Sequence, residues 1–159
     1  MAPARVRVFV LTVSDTRTDD TDTAGLAICE LLTANGHVVA GKAIEKDDPV
    51  RVAELVRQQA VIGDVDAIIT TGGTGLTRRD STFEAIDALL TKRIPGFGEL
   101  FRMLSYHDIG SAAMMSRACA GTIGRSVVIS LPGSEKAVRL AMDKLVIPEL
   151  AHLVQQATK

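Results

Sequence analysis

The stretch DAIITTGGTG, Asp66–Gly75, decides the fold class. Residues 66–71 form a short run rich in β-branched residues around an apolar centre, Ala67–Ile69, and read as a strand buried on both faces. The run passes without a break into Gly72-Gly73-Thr74-Gly75. Ser81 and Glu84 then stand at capping-box spacing, so a helix is expected from Thr82 to about Thr91. Strand, glycine turn and helix in succession form the repeating unit of a parallel α/β sheet.

The flanking sequence repeats this unit. Val6–Val13 (VRVFVLTV) reads as another buried strand, followed by a polar loop from Ser14 to Thr21. Asp22–Asn35 has helical spacing at Leu26, Ile28, Leu31 and Leu32, with Asp22 or Thr23 as cap and Asn35-Gly36 as its end. His37–Ile44 reads as a shorter strand. Glu45–Pro49 is a turn, with Pro49 suited to a first helical position before the helix Val50–Ile62. Ser126–Leu131 is a fourth buried strand. After Pro132-Gly133, Ser134 caps a last helix, which Pro148 kinks or interrupts before Glu149–Gln156. The segment Ile94–Cys119 breaks the alternation. It reads as an irregular insertion with short helices at Phe97–Ser105 and Ser111–Cys119, before a turn at Gly121–Gly124. With no linker or repeat, residues 1–159 are expected to form one domain. The expected architecture is α/β, a three-layer sandwich with a mostly parallel sheet covered by helices on both faces.

Composition narrows the function. The 159 residues carry 18 Lys+Arg against 19 Asp+Glu, a formal charge of −1, with no Trp, one Tyr and four Phe. This balance excludes a generally basic nucleic-acid binder, and the few aromatics argue against base-stacking platforms. Any charged partner must therefore be held by a local site. Cys29 and Cys119 have no metal-ligand spacing with His37, His107 or His152, and are expected to be buried and reduced. The N-terminal apolar run lacks a cleavage pattern, and no stretch reaches the roughly 18–20 apolar residues of a membrane helix. A cytoplasmic location is expected.

Parallel strands bring their carboxyl-end loops to one edge, where α/β sheets bind ligands. Here those loops hold Ser14-Asp15-Thr16, Lys46-Asp47-Asp48, Thr71–Gly75 and Leu131–Ser134. The glycine-rich loop is neither a Walker A loop nor a GxGxxG fingerprint. Its glycines permit close backbone approach to an anion. Hydroxyls at Thr70, Thr71 and Thr74, with Arg78-Arg79-Asp80 beyond, favour an anion site over a bare turn. Asp80 beside phosphates makes sense with a hard cation such as Mg2+ bridging them, unless it simply caps the next helix. Asp15 and Asp47 come from neighbouring strand ends, while Asp48 better suits the turn before Pro49, although chemistry alone does not separate it from Asp47. Ser116-Arg117 offers a further planar donor set. The histidines have no partner spacing, so no Ser-His hydrolase is indicated.

Six motifs, in order along nearly the whole chain, resemble those of the molybdopterin-binding MoaB/Mog family. They are LTVSDT (Leu11–Thr16), DTAG (Asp22–Gly25), TTGGTGLTRRD (Thr70–Asp80), GFGELFRMLSY (Gly96–Tyr106), MMSRACAG (Met114–Gly121) and LPGS (Leu131–Ser134). Gly96–Gly121 is most similar to the molybdenum cofactor biosynthesis protein B branch. The chain departs from the family pattern at Ala24, often Ser, and at Arg78 and Phe83, often Pro. The resemblance implies a parallel-rich sheet between helices and assembly as homotrimers or homohexamers. Phe97, Leu100, Phe101, Met103, Met114 and Met115 are available for the core or an interface.

The resemblance also implies transfer of AMP from Mg-ATP to the terminal phosphate of molybdopterin, releasing pyrophosphate. Asp47 and Asp80 match the family's catalytic carboxylates and would hold Mg2+. Ser14, Asp15, Thr71, Gly72, Gly73, Thr74 and Gly75 are expected to hold the nucleotide. Ser105, Ser116, Arg117, Pro132, Gly133 and Ser134 are expected on the pterin side. Partners are then small molecules, with other enzymes of molybdenum cofactor biosynthesis admitted and no nucleic acid or membrane. The alternative is a molybdopterin-binding protein of the same pathway without transferase activity. A nucleotide pyrophosphatase would instead act on ATP without a pterin, and the missing GxGxxG disfavours an oxidoreductase.

Overall fold

The computed structural model describes residues 4–62 and 64–159. The reading of the N-terminus as carrying no leader falls partly outside them, at 1–3. In chain order the elements are β1 (Arg7–Val13), α1 (Thr23–Ala34), β2 (Val38–Glu45), α2 (Pro49–Val61), β3 (Ala67–Thr71), α3 (Thr82–Asp87), β4 (Lys92–Arg93), α4 (Pro95–Ile109), β5 (Cys119–Ile123), β6 (Ser126–Leu131), α5 (Glu135–Ala141) and α6 (Ile147–Ala157). Among the described residues these make one six-stranded sheet in the order β2-β1-β3-β6-β5-β4. β2, β1, β3 and β6 run parallel, while β5 and β4 extend the sheet antiparallel.

The continuous apolar runs have a direct cause. Side chains alternate across a strand, and both faces of this sheet are covered. Val8, Val10, Ile69 and Ile129 pack beneath α1, α4, α5 and α6, with Ile28, Phe101, Val138 and Leu150. Phe9, Leu11, Ile68 and Val128 pack beneath α2 and α3, with Val52, Val56 and Ile86. The expected three-layer sandwich is the observed one.

The antiparallel extension departs from expectation. Four strands were expected, but β4 and β5 add two more. Ser111–Cys119 is not a helix: Gly110–Met115 form a 3-10 turn, and β5 begins at Cys119. Gly121 lies within β5 rather than in a turn, and the hairpin to β6 closes at Gly124, where φ is +57°. The small residues of CAGTI concealed this strand. Gly121 is required because a Cβ there would lie 2.3 Å from the Lys92 carbonyl oxygen. α3 also stops at Asp87, short of Thr91, because the chain turns into β4. Before Pro148, Met142–Val146 form a π turn, a wider step that accommodates a residue with no amide hydrogen. Cys29 and Cys119 are free but only half-buried. Burial raises both thiols, Cys119 to about 11. Phe101 is buried, with Phe97 stacked at 6.3 Å, whereas Leu100, Met103, Met114 and Met115 lie exposed beside Tyr106 and Ile109.

Asp22 fixes the start of α1, the first helix above the site. Its Oδ1 accepts from the Gly25 amide (3.0 Å), and its Oδ2 accepts from Thr12 Oγ1 (2.7 Å) and Lys42 Nζ (2.7 Å). Burial works to raise this carboxyl, but the Lys42, Thr12 and Gly25 donors outweigh it and hold the group below its ordinary value. Its contribution to stability is therefore complete above the unfolded value of about 3.9 and is lost as pH falls through the lower folded value. Lys42→Met removes the counter-charge of a buried carboxylate and is expected to cost about 3 kcal/mol in urea unfolding at pH 7. The acid-side loss of stability should shrink in the same variant.

Candidate active site at the strand ends

Register decides where the loops meet. Val13 pairs with Glu45, Thr12 with Thr71, and Thr71 with Leu131, so the four parallel strands end level. The loops after β3 and β6 are stapled together: the Gly72 amide donates to the Leu131 carbonyl (3.0 Å), and Thr71 Oγ1 donates to the Pro132 carbonyl (2.6 Å). Thr70 Oγ1 donates to Ser130 Oγ (3.0 Å). The Thr70 and Thr71 hydroxyls, expected to face an anion, are thus spent inside the sheet edge. The anion donors are backbone instead. Among the described residues the amides of Gly73, Thr74 and Gly75 donate to no protein acceptor.

Two glycines are needed for this arrangement. Gly72 has φ +103°, and a Cβ there would lie 2.2 Å from the Val13 carbonyl oxygen at the end of β1. Gly73 has φ +73°, and a Cβ would lie 2.0 Å from Thr82 Oγ1 and 3.1 Å from Asp47 Oδ2. The Thr82 hydroxyl, fully buried, has no hydrogen-bond partner among the described residues.

The structure separates the neighbouring carboxylates. Asp48 caps α2, accepting from the Val50 (2.9 Å) and Arg51 (3.3 Å) amides. Asp47 turns the other way: its Oδ1 accepts from Ser81 Oγ (2.6 Å) and the Ser81 amide (3.2 Å), leaving Oδ2 beside the glycine loop. The expected capping box is therefore absent. Ser81 spends its hydroxyl on Asp47, and Glu84 pairs with Arg117. Nor does Asp80 cap α3. Its Oδ2 accepts from the Thr77 amide (2.9 Å) and hydroxyl (2.6 Å), closing the turn after the glycines.

Asp15 ties three loops together. Arg79 Nε and Nη2 both reach it at 2.9 Å, and its Oδ1 also accepts from the Asp47 amide (3.2 Å). The Arg79 fork, followed by the Asp47 amide, holds its carboxyl below the ordinary value. Both oxygens serve protein donors, so Asp15 acts here as a brace. Ser14 Oγ accepts from the Thr16 and Arg17 amides and retains its hydrogen to donate.

Arg117 braces the glycine loop from the opposite side. Its amide donates to Thr74 O (3.0 Å), its Nη2 to Gly75 O (2.7 Å) and Asp80 O (3.2 Å), and its Nε to Gly75 O (3.0 Å). Nη1 pairs with Glu84, and the guanidinium lies 5.2 Å over the Phe83 ring.

Two adjoining cavities result. One, of about 210 Å3, is lined by Ser14, Asp15, Asp47, Thr71, Gly72, Gly73, Asp80 and Gly133. The other, of about 370 Å3, takes in Thr74, Gly75, Met115, Ser116 and Pro132, sharing Gly73, Asp80 and Gly133 with the first. Three expected site residues line neither. Ser105 is buried in α4, Ser134 caps α5 through the Ala137 amide, and Arg117 lies behind the loop. Arg17 and Asp22 line the first cavity, and Arg79 and Ser81 fix its carboxylates. Sequence reading gave Arg17, Asp22 and Ser81 no site role and counted Arg79 only as part of the charged Arg78-Arg79-Asp80 stretch beyond the glycine loop. The only signal for Ser81 was its adjacency to Asp80.

The pattern of the probable molybdopterin binding domain matches residues 9–152. The chain belongs to this molybdopterin-binding family. It is 56% identical over 153 residues to molybdenum cofactor biosynthesis protein B of Bacillus anthracis, covering 96% of this chain and 90% of that protein. A crystal structure of molybdenum cofactor biosynthesis protein B superposes with a TM-score of 0.95 at 54% identity, covering 99% of this chain and 98% of the other. The tungsten cofactor synthesizing protein MoaB of Pyrococcus furiosus superposes with a TM-score of 0.88 at 36% identity, covering 99% and 100% of the two chains.

The Arg117 brace is testable without ligand. Arg117→Met removes every side-chain donor to the Gly75 and Asp80 carbonyls. Unfolding stability is expected to fall by about 2 kcal/mol. Amide exchange of Thr77 and Asp80, whose amides are hydrogen-bonded within the loop, should accelerate more than that of β1.

Proposed function

We propose that this protein acts in molybdenum cofactor biosynthesis as a molybdopterin adenylyltransferase, moving AMP from Mg-ATP to the terminal phosphate of molybdopterin and releasing pyrophosphate. One observation carries the reading. Asp47 and Asp80 flank the same glycine-rich loop, each with one oxygen that accepts from no protein donor among the described residues, and beside them lie the amides of Gly73, Thr74 and Gly75, which donate to no acceptor there. The names of the relatives support the pathway.

The residues fit a divalent cation of the hard, oxygen-seeking kind. Among the described residues Asp47 Oδ2 and Asp80 Oδ1 accept from no protein donor, a donor set suited to Mg2+, which takes one or two carboxylates and completes its shell from phosphates and water. Held by Asp47 and Asp80, it would neutralise charge on the transferring phosphate. The chain's own part is alignment and electrostatics. Ser14 Oγ and the loop amides donate to phosphate oxygens. Ser81 and Asp15 hold Asp47 in place, and Thr77 holds Asp80. The nucleophile is a phosphate oxygen, so no serine or cysteine nucleophile is needed. The second cavity, with Thr74, Ser116 and Pro132, takes the pterin side. The exposed apolar face of α4 and the 3-10 turn supports assembly with further copies of the chain.

Incubation with molybdopterin and Mg-ATP should yield adenylyl-molybdopterin and pyrophosphate in equal amounts. Asp80→Asn is expected to slow formation by roughly 10²–10³-fold with molybdopterin binding retained. Molybdopterin binding with no ATP-dependent product in the wild type would establish the non-catalytic alternative.

A further inference from the structure

Asp47 stands at a divide. On one side lies the glycine-rich cleft. On the other lies a separate cavity of about 430 Å3, lined by Lys46, Asp47, Asp48, Pro49, Arg51 and Arg79. Its carboxylates have protein donors: Asp48 caps α2, and Asp47 Oδ1 is held by Ser81. Its cations are less committed. Lys46 forms no ion pair among the described residues. Arg51 reaches Glu45 only at 3.5 Å, with 64% of its side chain exposed. Arg79 engages Asp15 through Nε and Nη2, leaving Nη1 outside that fork. One ammonium and two guanidinium groups around a single cavity form a donor set for a polyanion.

We infer that this cavity is the pyrophosphate subsite, the seat of the β- and γ-phosphates of ATP and then of the leaving group. The inference rests on the adenylyl-transfer reading and adds a location to it. In an in-line displacement the attacking and leaving oxygens lie on opposite sides of the transferred phosphorus. A molybdopterin phosphate oxygen forms its bond to the α-phosphorus as the bond from that phosphorus to the α–β bridging oxygen breaks. The electron pair departs with pyrophosphate. With the α-phosphate beside Asp47, the nucleophile occupies the glycine-rich cleft, and the leaving group faces Lys46, Arg51 and Arg79. These cations stabilise the charge that develops on it.

The test uses the full chain and inorganic pyrophosphate with Mg2+, followed by titration calorimetry. Lys46 and Arg51 have exposed side chains, so a Lys46→Ala, Arg51→Ala double variant is expected to fold normally, which a melting curve checks. Its Kd for pyrophosphate should rise at least about tenfold. Its KM for ATP should rise with it, while molybdopterin affinity stays unchanged. Arg57→Ala, which removes a positive charge from α2 outside this cavity, should change none of these. Equal pyrophosphate affinity in wild type and double variant, or no binding by the wild type, overturns the subsite. A wild type that binds pyrophosphate through these residues yet forms no adenylyl-molybdopterin overturns the transfer reading, and with it the leaving-group role, while the cavity stands as a pyrophosphate-binding site. Normal turnover with pyrophosphate affinity unchanged in the double variant removes the subsite alone.

Discussion

The site depends on parallel strands ending level. Val13, Glu45, Thr71 and Leu131 reach one edge in register, so four loops that are distant in sequence emerge side by side. Level ends alone would leave the loops splayed. Gly72 draws them together because its missing Cβ lets the chain pass against the Val13 carbonyl, while its amide is anchored on Leu131. Each later feature builds on that contact: the Thr71–Pro132 staple, the turn into Asp80 and the approach of Asp47 to Gly73.

A nearly neutral chain can manage polyanions on this frame because its charges are sorted by partner. Asp48 is committed to a helix start, Asp15 to Arg79, and Asp22 to Lys42. The carboxylates that retain an uncommitted oxygen beside the glycine loop are Asp47 and Asp80. The amide donors of Gly73, Thr74 and Gly75 add positive potential without adding formal charge. Net charge therefore says little about what such a site binds.

The parallel half of the fold was legible in the sequence because burial on both faces leaves uninterrupted β-branched runs such as VRVFVLTV and SVVISL. The antiparallel half was not. β5 is CAGTI, where Gly121 is dictated by close backbone approach rather than by strand propensity. At the site, the loops and their glycines could be read directly, while chemistry alone favoured the turn for Asp48 without separating it from Asp47; the helix cap that the structure gives Asp48 makes that separation. The duties of individual polar groups were harder. Thr70 and Thr71 resemble anion donors but bond across the sheet edge, and Ser81 resembles a cap but supports Asp47. A hydroxyl's partner is set by tertiary geometry, which spacing along the chain does not encode.

Arg117 carries a consequence for variation. Its side chain grips the Gly75 and Asp80 carbonyl oxygens, groups that every amino acid supplies. The anchor therefore reads the path of the loop and is indifferent to the side chains displayed along it. Exposed positions such as Leu76 and Arg78 can exchange residues without releasing the backbone. Selection can thus retune what the loop presents to a ligand while its course stays fixed from behind.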